Sequence, residues 1–170
     1  MSSEENFSPD LGKRNDSIQF YEGRYSRGYM GHWSSFDKKR LYDLVKSLNL
    51  PQTGNALDFG CGRGIFTEVI REALPGWKIS GCDISSEAIE SAKQNSAITF
   101  FVLGDKIFSE QKFDFIHSHH VLEHTFDDKV TAGEMSSYAA EHCVMLHSLP
   151  CNHEGSLEYR LSQCLKRHIF

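Results

Sequence analysis

The sequence has no hydrophobic run that approaches the roughly 20 apolar residues of a membrane-spanning helix. Its first ten residues, MSSEENFSPD, are acidic and polar, and they lack the apolar segment of a secretory signal peptide. Lysine and arginine form no cluster and the net charge is −5, so no nucleic-acid partner and no anionic membrane surface are predicted. These absences favour a cytoplasmic protein without membrane insertion.

Paired cysteine motifs, repeats and low-complexity segments are missing as well. The five cysteines are odd in number and include no C-x-x-C pair, which favours reduced thiols rather than disulfides. A chain of 170 residues with 39% hydrophobic residues is expected to form one domain with a buried core.

The most informative segment is residues 55–64, NALDFGCGRG. A short apolar run leads into Asp58, glycine follows at positions 60, 62 and 64, and apolar residues at helical spacing follow from 65 to 74. This pattern predicts a strand, a glycine turn and a helix. Glycine lets a ligand lie against the backbone without meeting a Cβ atom, and the N–H groups at a helix start favour negative charge.

Further strands and helices alternate along the chain. Strands are predicted near 56–59 and at 77–82, 98–103, 113–118 and 143–149, and helices at 35–50, 63–74, 86–95, 125–141 and 155–167. Alternation of this kind predicts an α/β fold in which helices cover both faces of a parallel sheet.

In such a sheet, ligands bind beyond the carboxyl ends of the strands. Several polar and small residues follow those ends and should meet in one crevice. They are Asp58, Gly60, Cys61, Gly62 and Gly64 after the first strand, Asp83 and Ile84 after the second, Gly104 and Asp105 after the third, and His117, His119 and His120 at the fourth.

The glycine spacing separates two families of nucleotide-binding folds. Dinucleotide folds use G-x-G-x-x-G, whose last glycine would fall at Ile65, so an NAD-dependent oxidoreductase is disfavoured. The G-x-G-x-G pattern after Asp58, with Asp83 placed 19 residues past Gly64, resembles the donor motif of class I S-adenosylmethionine-dependent methyltransferases. The resemblance implies a Rossmann-like fold and S-adenosyl-L-methionine as cofactor. That family has seven strands in the order 3-2-1-4-5-7-6, of which five, 3-2-1-4-5, can be placed here.

The same resemblance implies a role for each donor-site residue. Asp83 should accept hydrogen bonds from the ribose hydroxyls, and Ile84 should lie on the adenine face. Asp105 or a neighbour should meet the adenine amino group, Asp58 should hold the donor's ammonium group, and the glycine loop should pass under its methionine part. The alternatives are that the loop is a turn without a ligand and that Asp83 only favours the start of a helix.

Residues 119–124, HHVLEH, form the second informative segment. They resemble a stretch after strand four in many small-molecule methyltransferases, including the ubiquinone-biosynthesis type. The resemblance implies that His119 and His120 lie near the methionine end of the donor and that Glu123 and His124 lie near the acceptor. Histidine suits the role of general base, so His120, Glu123 and His124 are the predicted catalytic residues, although they could instead only orient loops. No zinc spacing is present and no metal is predicted. Because some relatives of the ubiquinone-biosynthesis type use a carboxylate–histidine metal site in this region, the resemblance keeps Glu123 and His124 as an alternative metal pair.

The two ends of the chain complete the predicted organisation. Residues 1–17 are expected to be flexible, 18–53 to form a helical cap, 54–150 to form the donor-binding core, and 151–170 to form an incomplete C-terminal part. Five aromatic residues in the cap could either pack against the core or cover the donor; they are Phe20, Tyr21, Tyr25, Tyr29 and Trp33.

The predicted function is methyl transfer to a small molecule or to a glycan or lipid precursor. The alternative is a truncated domain that binds the donor without catalysis. With five strands, the apolar fifth strand becomes an exposed edge. We expect helix 155–167 or a second copy of the chain, forming a homodimer, to cover it.

Overall fold

The computed structural model describes residues 9–25, 27, 32–96, 98–105, 108, 110–125 and 127–149, with the backbone alone at 9–13, 95 and 128. Five helices of more than one turn lie in these ranges: α1 (Pro9–Tyr25), α2 (Ser35–Ser47), α3 (Ile65–Ala73), α4 (Ser86–Asn95) and α5 (Asp128–Tyr138). The strands are β1 (Asn55–Phe59), β2 (Lys78–Asp83), β3 (Thr99–Val102), β4 (Phe113–His119) and β5 (Ala139–Ser148), and a 3₁₀ turn spans Leu122–His124.

All five strands pair in parallel in the order β3-β2-β1-β4-β5. This confirms the predicted Rossmann-like fold and its strand order, and it makes β5 the outermost strand on its side of the described sheet. The chain moves outward from β1 to β3 on one side and then returns to β4 on the other side of β1. The carboxyl ends of β1 and β4 therefore flank the point where the strand order reverses, which is where open α/β sheets bind ligands.

Two apolar clusters hold the layers together. On one face, Phe66 and Ile70 of α3 pack with Leu41 and Val45 of α2 over β1 and β4. On the other face, Met135 and Tyr138 of α5 join Leu57, Phe59, Phe101 and Ile116 from the sheet. Burial on both faces explains why these strands are apolar along most of their length.

Side chains fix the starts of three helices. Ser34 accepts the N–H of Asp37 at the start of α2, and Ser85 accepts the N–H of Ala88 at the start of α4. Asp127 accepts the N–H groups of Lys129 and Val130 at the start of α5. Each cap satisfies backbone donors that have no partner inside the helix.

Three details of the sequence interpretation differ from the structure. α1 begins at Pro9, so the segment expected to be flexible to residue 17 is helical from there, held by contacts that are distant in sequence. α5 ends at Tyr138 rather than near 141, because Ala139 already pairs with Phe113 as the first residue of β5. The helical spacing of Leu41, Leu44, Val45 and Leu48 predicts one buried face of α2, but Leu44 is 39% exposed while Leu41 and Val45 are buried.

Two other predictions lie partly outside these ranges. The helix predicted at 155–167 and the aromatic residue Tyr29 fall outside the described residues. None of the described helices combines the length and apolarity that a membrane crossing requires. The cytoplasmic location stays a prediction.

Candidate functional site

A cavity of about 260 Å³ lies at the carboxyl ends of β1, β2 and β4. The glycine loop after β1 forms one side, the end of β4 forms another, and α1 lies across it through Arg14, Ser17, Tyr21 and Tyr25. Nine of the thirteen predicted site residues line it: Asp58, Gly60, Cys61, Gly62, Asp83, Ile84, His119, His120 and His124. The strand ends therefore converge as the sequence suggested.

The glycine loop adopts a conformation that glycine alone takes without strain. Gly60, Gly62 and Gly64 have φ values of 74°, 53° and 79°, in the left-handed region. The N–H groups of Gly60 and Cys61 both donate to the carbonyl of Cys82, at 2.8 and 2.9 Å, which fastens the loop to β2. A Cβ atom on Gly62 would lie 2.9 Å from the Tyr25 hydroxyl. Glycine at position 62 thus lets the loop pack closely against Tyr25, which also lines the cavity.

Asp83 joins the loop to the start of α4. Its Oδ2 accepts the N–H of Gly62 at 2.8 Å and its Oδ1 accepts the N–H of Ser85 at 2.9 Å. Burial raises the pKa of this carboxyl to about 6, against the lowering effect of these N–H donors, and nearby Asp58 raises it further. Each oxygen keeps a second lone pair, so a ligand hydroxyl can still donate to it. Asp83 therefore stabilises the loop and remains able to bind a ligand.

Asp58 belongs to a buried polar cluster that the sequence did not reveal. Its Oδ2 accepts the hydroxyl of Thr67 at 2.6 Å, and its Oδ1 lies 2.8 Å from Nδ1 of His117. Asp58 is 2% exposed and His117 is fully buried. These partners come from α3 and β4, so no local spacing could predict them. Any ammonium group bound by Asp58 would have to use its remaining lone pairs.

His120 is presented to the cavity by an unusual backbone conformation. Its φ is 54°, and its N–H donates to the carbonyl of Ser148 on β5 at 2.9 Å. Its Nδ1 lies 2.7 Å from Oε1 of Glu123, while Nε2 of His124 is 4.0 Å from the same oxygen. A non-glycine residue in the left-handed region costs energy, and such residues cluster at functional sites. Glu123 fixes the ring of His120 more closely than that of His124.

His119 is a neutral imidazole in an aromatic environment. Burial lowers its pKa to about 4, and the neighbouring His120 and His117 lower it further. Its ring centroid lies 4.2 Å from that of Phe66 and 4.9 Å from that of Trp33. Trp33 and Phe66 also line the cavity, although the sequence interpretation did not place Phe66 in the site.

Four of the predicted and described site residues lie outside the cavity lining: Gly64, Gly104, Asp105 and Glu123. A Cβ on Gly64 would lie 2.8 Å from the ring of Phe100, so this glycine allows close packing of the loop against β3. Gly104 and Asp105 form the turn after β3, where Leu103 reaches the cavity instead. Glu123 acts on the site through His120.

Helix α1 is tied to three other elements around the cavity. Arg14 Nη1 lies 2.9 Å from Glu134 Oε1 of α5, and Arg63 of the glycine loop donates to the carbonyl of Tyr25 at 2.6 Å. Glu22 accepts the N–H and the hydroxyl of Ser86 at the start of α4, at 2.8 and 2.7 Å. These contacts support the interpretation that the N-terminal helix covers the site as well as packing.

Metal-ligand geometry is not found among the described residues. No group of three or more histidine, cysteine, aspartate or glutamate side chains there is arranged to hold a metal ion. Glu123 and His124, the pair left open by the sequence, are 4.0 Å apart, and the oxygen concerned already contacts His120.

Comparison with curated proteins finds methyltransferases over part of the chain. The ribosomal RNA small subunit methyltransferase C of Shewanella sediminis is 42% identical over 69 residues, 39% of this chain and 20% of that protein. The Cronobacter sakazakii protein of the same name is 35% identical over 95 residues, 50% of this chain and 28% of that protein. The chain thus matches less than a third of the length of these relatives.

Solved structures share the fold over more of the chain. The magnesium protoporphyrin IX methyltransferase of Synechocystis PCC 6803, solved with S-adenosylhomocysteine, aligns with a TM-score of 0.61 and 20% identity, over 92% of this chain and 77% of that one. The plantazolicin methyltransferase BpumL aligns with a TM-score of 0.62 and 20% identity, over 88% and 66%. The methyltransferase-domain family matches residues 20–168, and the chain belongs to this family.

Proposed function

We propose that the chain binds S-adenosyl-L-methionine in this cavity and transfers its methyl group to a small acceptor. One observation carries the proposal: the glycine loop, held to Asp83, faces His119 and His120 across the same cavity. This arrangement supports a donor site and a potential base in one cavity. The names of the related proteins agree with this chemistry.

The cavity residues fit the donor by their chemistry. Asp83 has free lone pairs for ribose hydroxyls, and Ile84 and Leu103 offer apolar surface for a flat base. The left-handed glycine at position 62 lets the loop lie close to the Tyr25 hydroxyl, because a Cβ there would be 2.9 Å from it. Cys61 lines the same wall with a thiol whose pKa burial raises well above its usual range, so it stays protonated and unreactive.

The reaction needs alignment and, for an O–H or N–H acceptor, removal of a proton. When bound, S-adenosylmethionine supplies a methyl group whose carbon–sulfur bond breaks with its electrons on sulfur as the carbon bonds to the acceptor. His120 is the base we propose, because Glu123 holds Nδ1 and leaves Nε2 to take the acceptor's proton. Glu123 then stabilises the imidazolium that forms.

A small acceptor fits the charges better than RNA does. The net charge is −5, and the two arginines among the described cavity residues, Arg14 and Arg63, already bind Glu134 and the Tyr25 carbonyl. Binding of nucleic acid depends largely on cations that neutralise phosphates. The ribosomal RNA relatives match this chain over under a third of their length. Glycan and lipid precursors remain within the proposed acceptor class.

Calorimetry and a transfer assay test the proposal together. Titration with S-adenosylhomocysteine should show binding and titration with NAD should not. A radiolabelled methyl donor offered with a library of small O–H and N–H compounds should then give labelled product, which His120→Asn should reduce by about 10²-fold or more. Asparagine tolerates the left-handed backbone, so this variant isolates the side chain.

Each result has a clear meaning. Absence of S-adenosylhomocysteine binding would refute the donor site. Binding with no transfer to any compound would favour a domain that binds the donor without catalysis. Transfer to ribosomal RNA alone would refute the small acceptor but not the donor site.

A further inference from the structure

One wall of the cavity consists of four rings in tilted or edge-on contact, here named the aromatic wall: Trp33, Phe66, His119 and His120. Trp33 lies 4.8 Å from Phe66, 4.9 Å from His119 and 5.8 Å from His120, measured between ring centroids. His119 lies 4.2 Å from Phe66 and 4.6 Å from His120. Residues from the start of α2, from α3 and from the end of β4 thus form one continuous ring surface.

Three of the four rings, those of Trp33, Phe66 and His119, are uncharged where they meet the cavity. The lowered pKa of His119, caused mainly by burial, keeps that ring neutral at physiological pH. Phe66 is 6% exposed, so its ring is fixed by the core beneath it. The Arg14 guanidinium is held by Glu134 and by the Leu103 carbonyl. Arg63 donates from Nη2 to the Tyr25 carbonyl and has no partner for Nε among the described residues, but it belongs to the glycine loop, on another side of the cavity.

We propose that the aromatic wall is the acceptor subsite, and that the acceptor is an uncharged planar ring compound whose O–H or N–H group reaches His120. This inference rests on the proposed function. Planar rings gain offset or edge-to-face contacts on such a wall beyond the burial of apolar area. A carboxylate or phosphate would lose its water there without a cation to compensate.

His120 completes the subsite at one edge of the wall. Its left-handed backbone and its contact with Glu123 hold the ring against Trp33, with Nε2 as the basic atom. The acceptor's heteroatom would bond to the methyl carbon, its proton would pass to Nε2, and the electron pair of the broken carbon–sulfur bond would stay on sulfur. The charge balances, because a sulfonium and a neutral acid become a thioether and an imidazolium.

Three matched probes test the ring requirement by calorimetry on the full chain saturated with S-adenosylhomocysteine. Naphthol is planar and neutral, decahydronaphthol has the same carbon skeleton without the π-system, and naphthoate adds a charge. We expect naphthol to bind about ten-fold or more tightly than either of the others. Trp33→Leu, kept saturated with S-adenosylhomocysteine at a concentration set by its own measured Kd, should lose most of this preference.

Phe36→Leu provides the matched control. Phe36 is the second residue of α2 and follows Trp33 by three positions. Its side chain is 72% exposed and is not part of the cavity lining. Phe36→Leu should change neither the preference for naphthol nor the Kd of S-adenosylhomocysteine. Equal binding of the three probes, tighter binding of naphthoate, or an unchanged preference in Trp33→Leu would overturn the inference while the donor site stands. Failure of S-adenosylhomocysteine to bind at all would overturn the donor site as well.

Discussion

Asp83 is the residue at which loop structure and ligand binding meet. Its carboxylate holds Gly62 and Ser85, and the same group is proposed to accept the ribose hydroxyls. A carboxylate accepts such bonds fully only when it is ionised, so its raised pKa has a consequence for binding.

Donor affinity should therefore depend on pH in a defined direction. Burial raises the pKa of Asp83 from 3.8 to about 6, so acid protonates it in the free protein, and ribose binding favours the ionised form. The affinity for S-adenosylhomocysteine should rise from about pH 5 to pH 7 and then level off. Calorimetry across this range, with Asp43→Asn on the exposed side of α2 as the control, measures it.

Asp83→Asn should flatten that profile and weaken binding near neutral pH by about 1.5–3 kcal/mol, because the charge-assisted hydrogen bonds are lost. The folded state of the variant is checked by its far-ultraviolet spectrum. A folded Asp83→Asn protein with the parent affinity would remove Asp83 from the donor site.

Gly62 allows a test with a control on the same chain. Gly62→Ala places a Cβ about 2.9 Å from the Tyr25 hydroxyl and forces alanine to a φ of 53°, so it should lower stability by about 1–2 kcal/mol and weaken donor binding. Gly133→Ala lies in α5 with nothing within 4 Å of the new atom, and it should raise stability by up to about 1 kcal/mol. Thermal unfolding with and without S-adenosylhomocysteine compares the two. Equal behaviour would mean that the loop is only a turn.

Among single residues, the sequence predicted those that directly follow the end of a strand. The glycine loop, Asp83 and His120 were predicted because each follows a recognisable pattern of strand and turn. Thr67, His117 and Phe66 were not placed with their partners, because those contacts cross from one element to another. Spacing along the chain carries no information about such pairs.

Among the elements, α1 is the one whose attachment should govern exchange of the donor. It crosses the cavity and is held by side-chain contacts to the glycine loop, α4 and α5. Hydrogen bonds from Ser86 and Glu87 lower the pKa of Glu22 despite an opposing effect of burial, so this contact involves a carboxylate. A charged group on the first N–H groups of α4 is also favoured by the helix dipole.

Glu22→Gln should release S-adenosylhomocysteine faster. The lost charge–dipole contact is worth about 0.5–1.5 kcal/mol. If α1 must detach before the ligand leaves, this loss corresponds to an increase of about two- to ten-fold in the dissociation rate. Stopped-flow displacement measures the rate. Glu90→Gln on the exposed side of α4, where the carboxylate pairs with the exposed Lys93, is the control. An unchanged rate in Glu22→Gln would show that α1 does not limit exchange.

Element boundaries were predicted best where a local signal ends the element. Ser34, Ser85 and the glycine loop set the starts of α2, α4 and α3 close to their expected positions. The α5–β5 boundary was predicted too late because pairing with Phe113, and no residue of the segment itself, ends the helix. The predicted N-terminal helix began too late, at residue 18 instead of Pro9, because the contacts that stabilise α1 come from residues far along the sequence.

For the whole molecule, the fold class and strand order followed from the sequence, while the acceptor pocket did not. The alternation of strands and helices is a repeated signal, whereas the aromatic wall joins residues that lie up to 87 positions apart, from Trp33 to His120. The outer edge of β5 is unpaired within the described sheet. Val144 and Met145 there are 37% and 38% exposed.

We expect that edge to be covered, by residues 155–167 or by a second copy of the chain. Sedimentation over a range of concentrations separates the two. If a second copy covers it, Val144→Lys should abolish association, and Leu44→Lys, equally exposed on α2, should not. A monomer at all concentrations whose outward β5 amides exchange rapidly would contradict both forms of cover.

The direct junction of α5 and β5 makes the length of the chain critical at one point. Tyr138 ends the helix and Ala139 begins the strand, so an inserted residue meets no loop, and the irregular pairing of β5 with β4 between Ala139 and Val144 is the local feature that can take it up. If the helix absorbed it instead, α5 would rotate by about 100°, and Glu134 would leave Arg14. If the regular part of the strand absorbed it, β5 would shift by one residue, and its side chains would exchange faces. The carbonyl opposite the N–H of His120 would then come from a neighbour of Ser148, so an insertion that the irregular pairing did not take up would disturb either the covering helix or the proposed base.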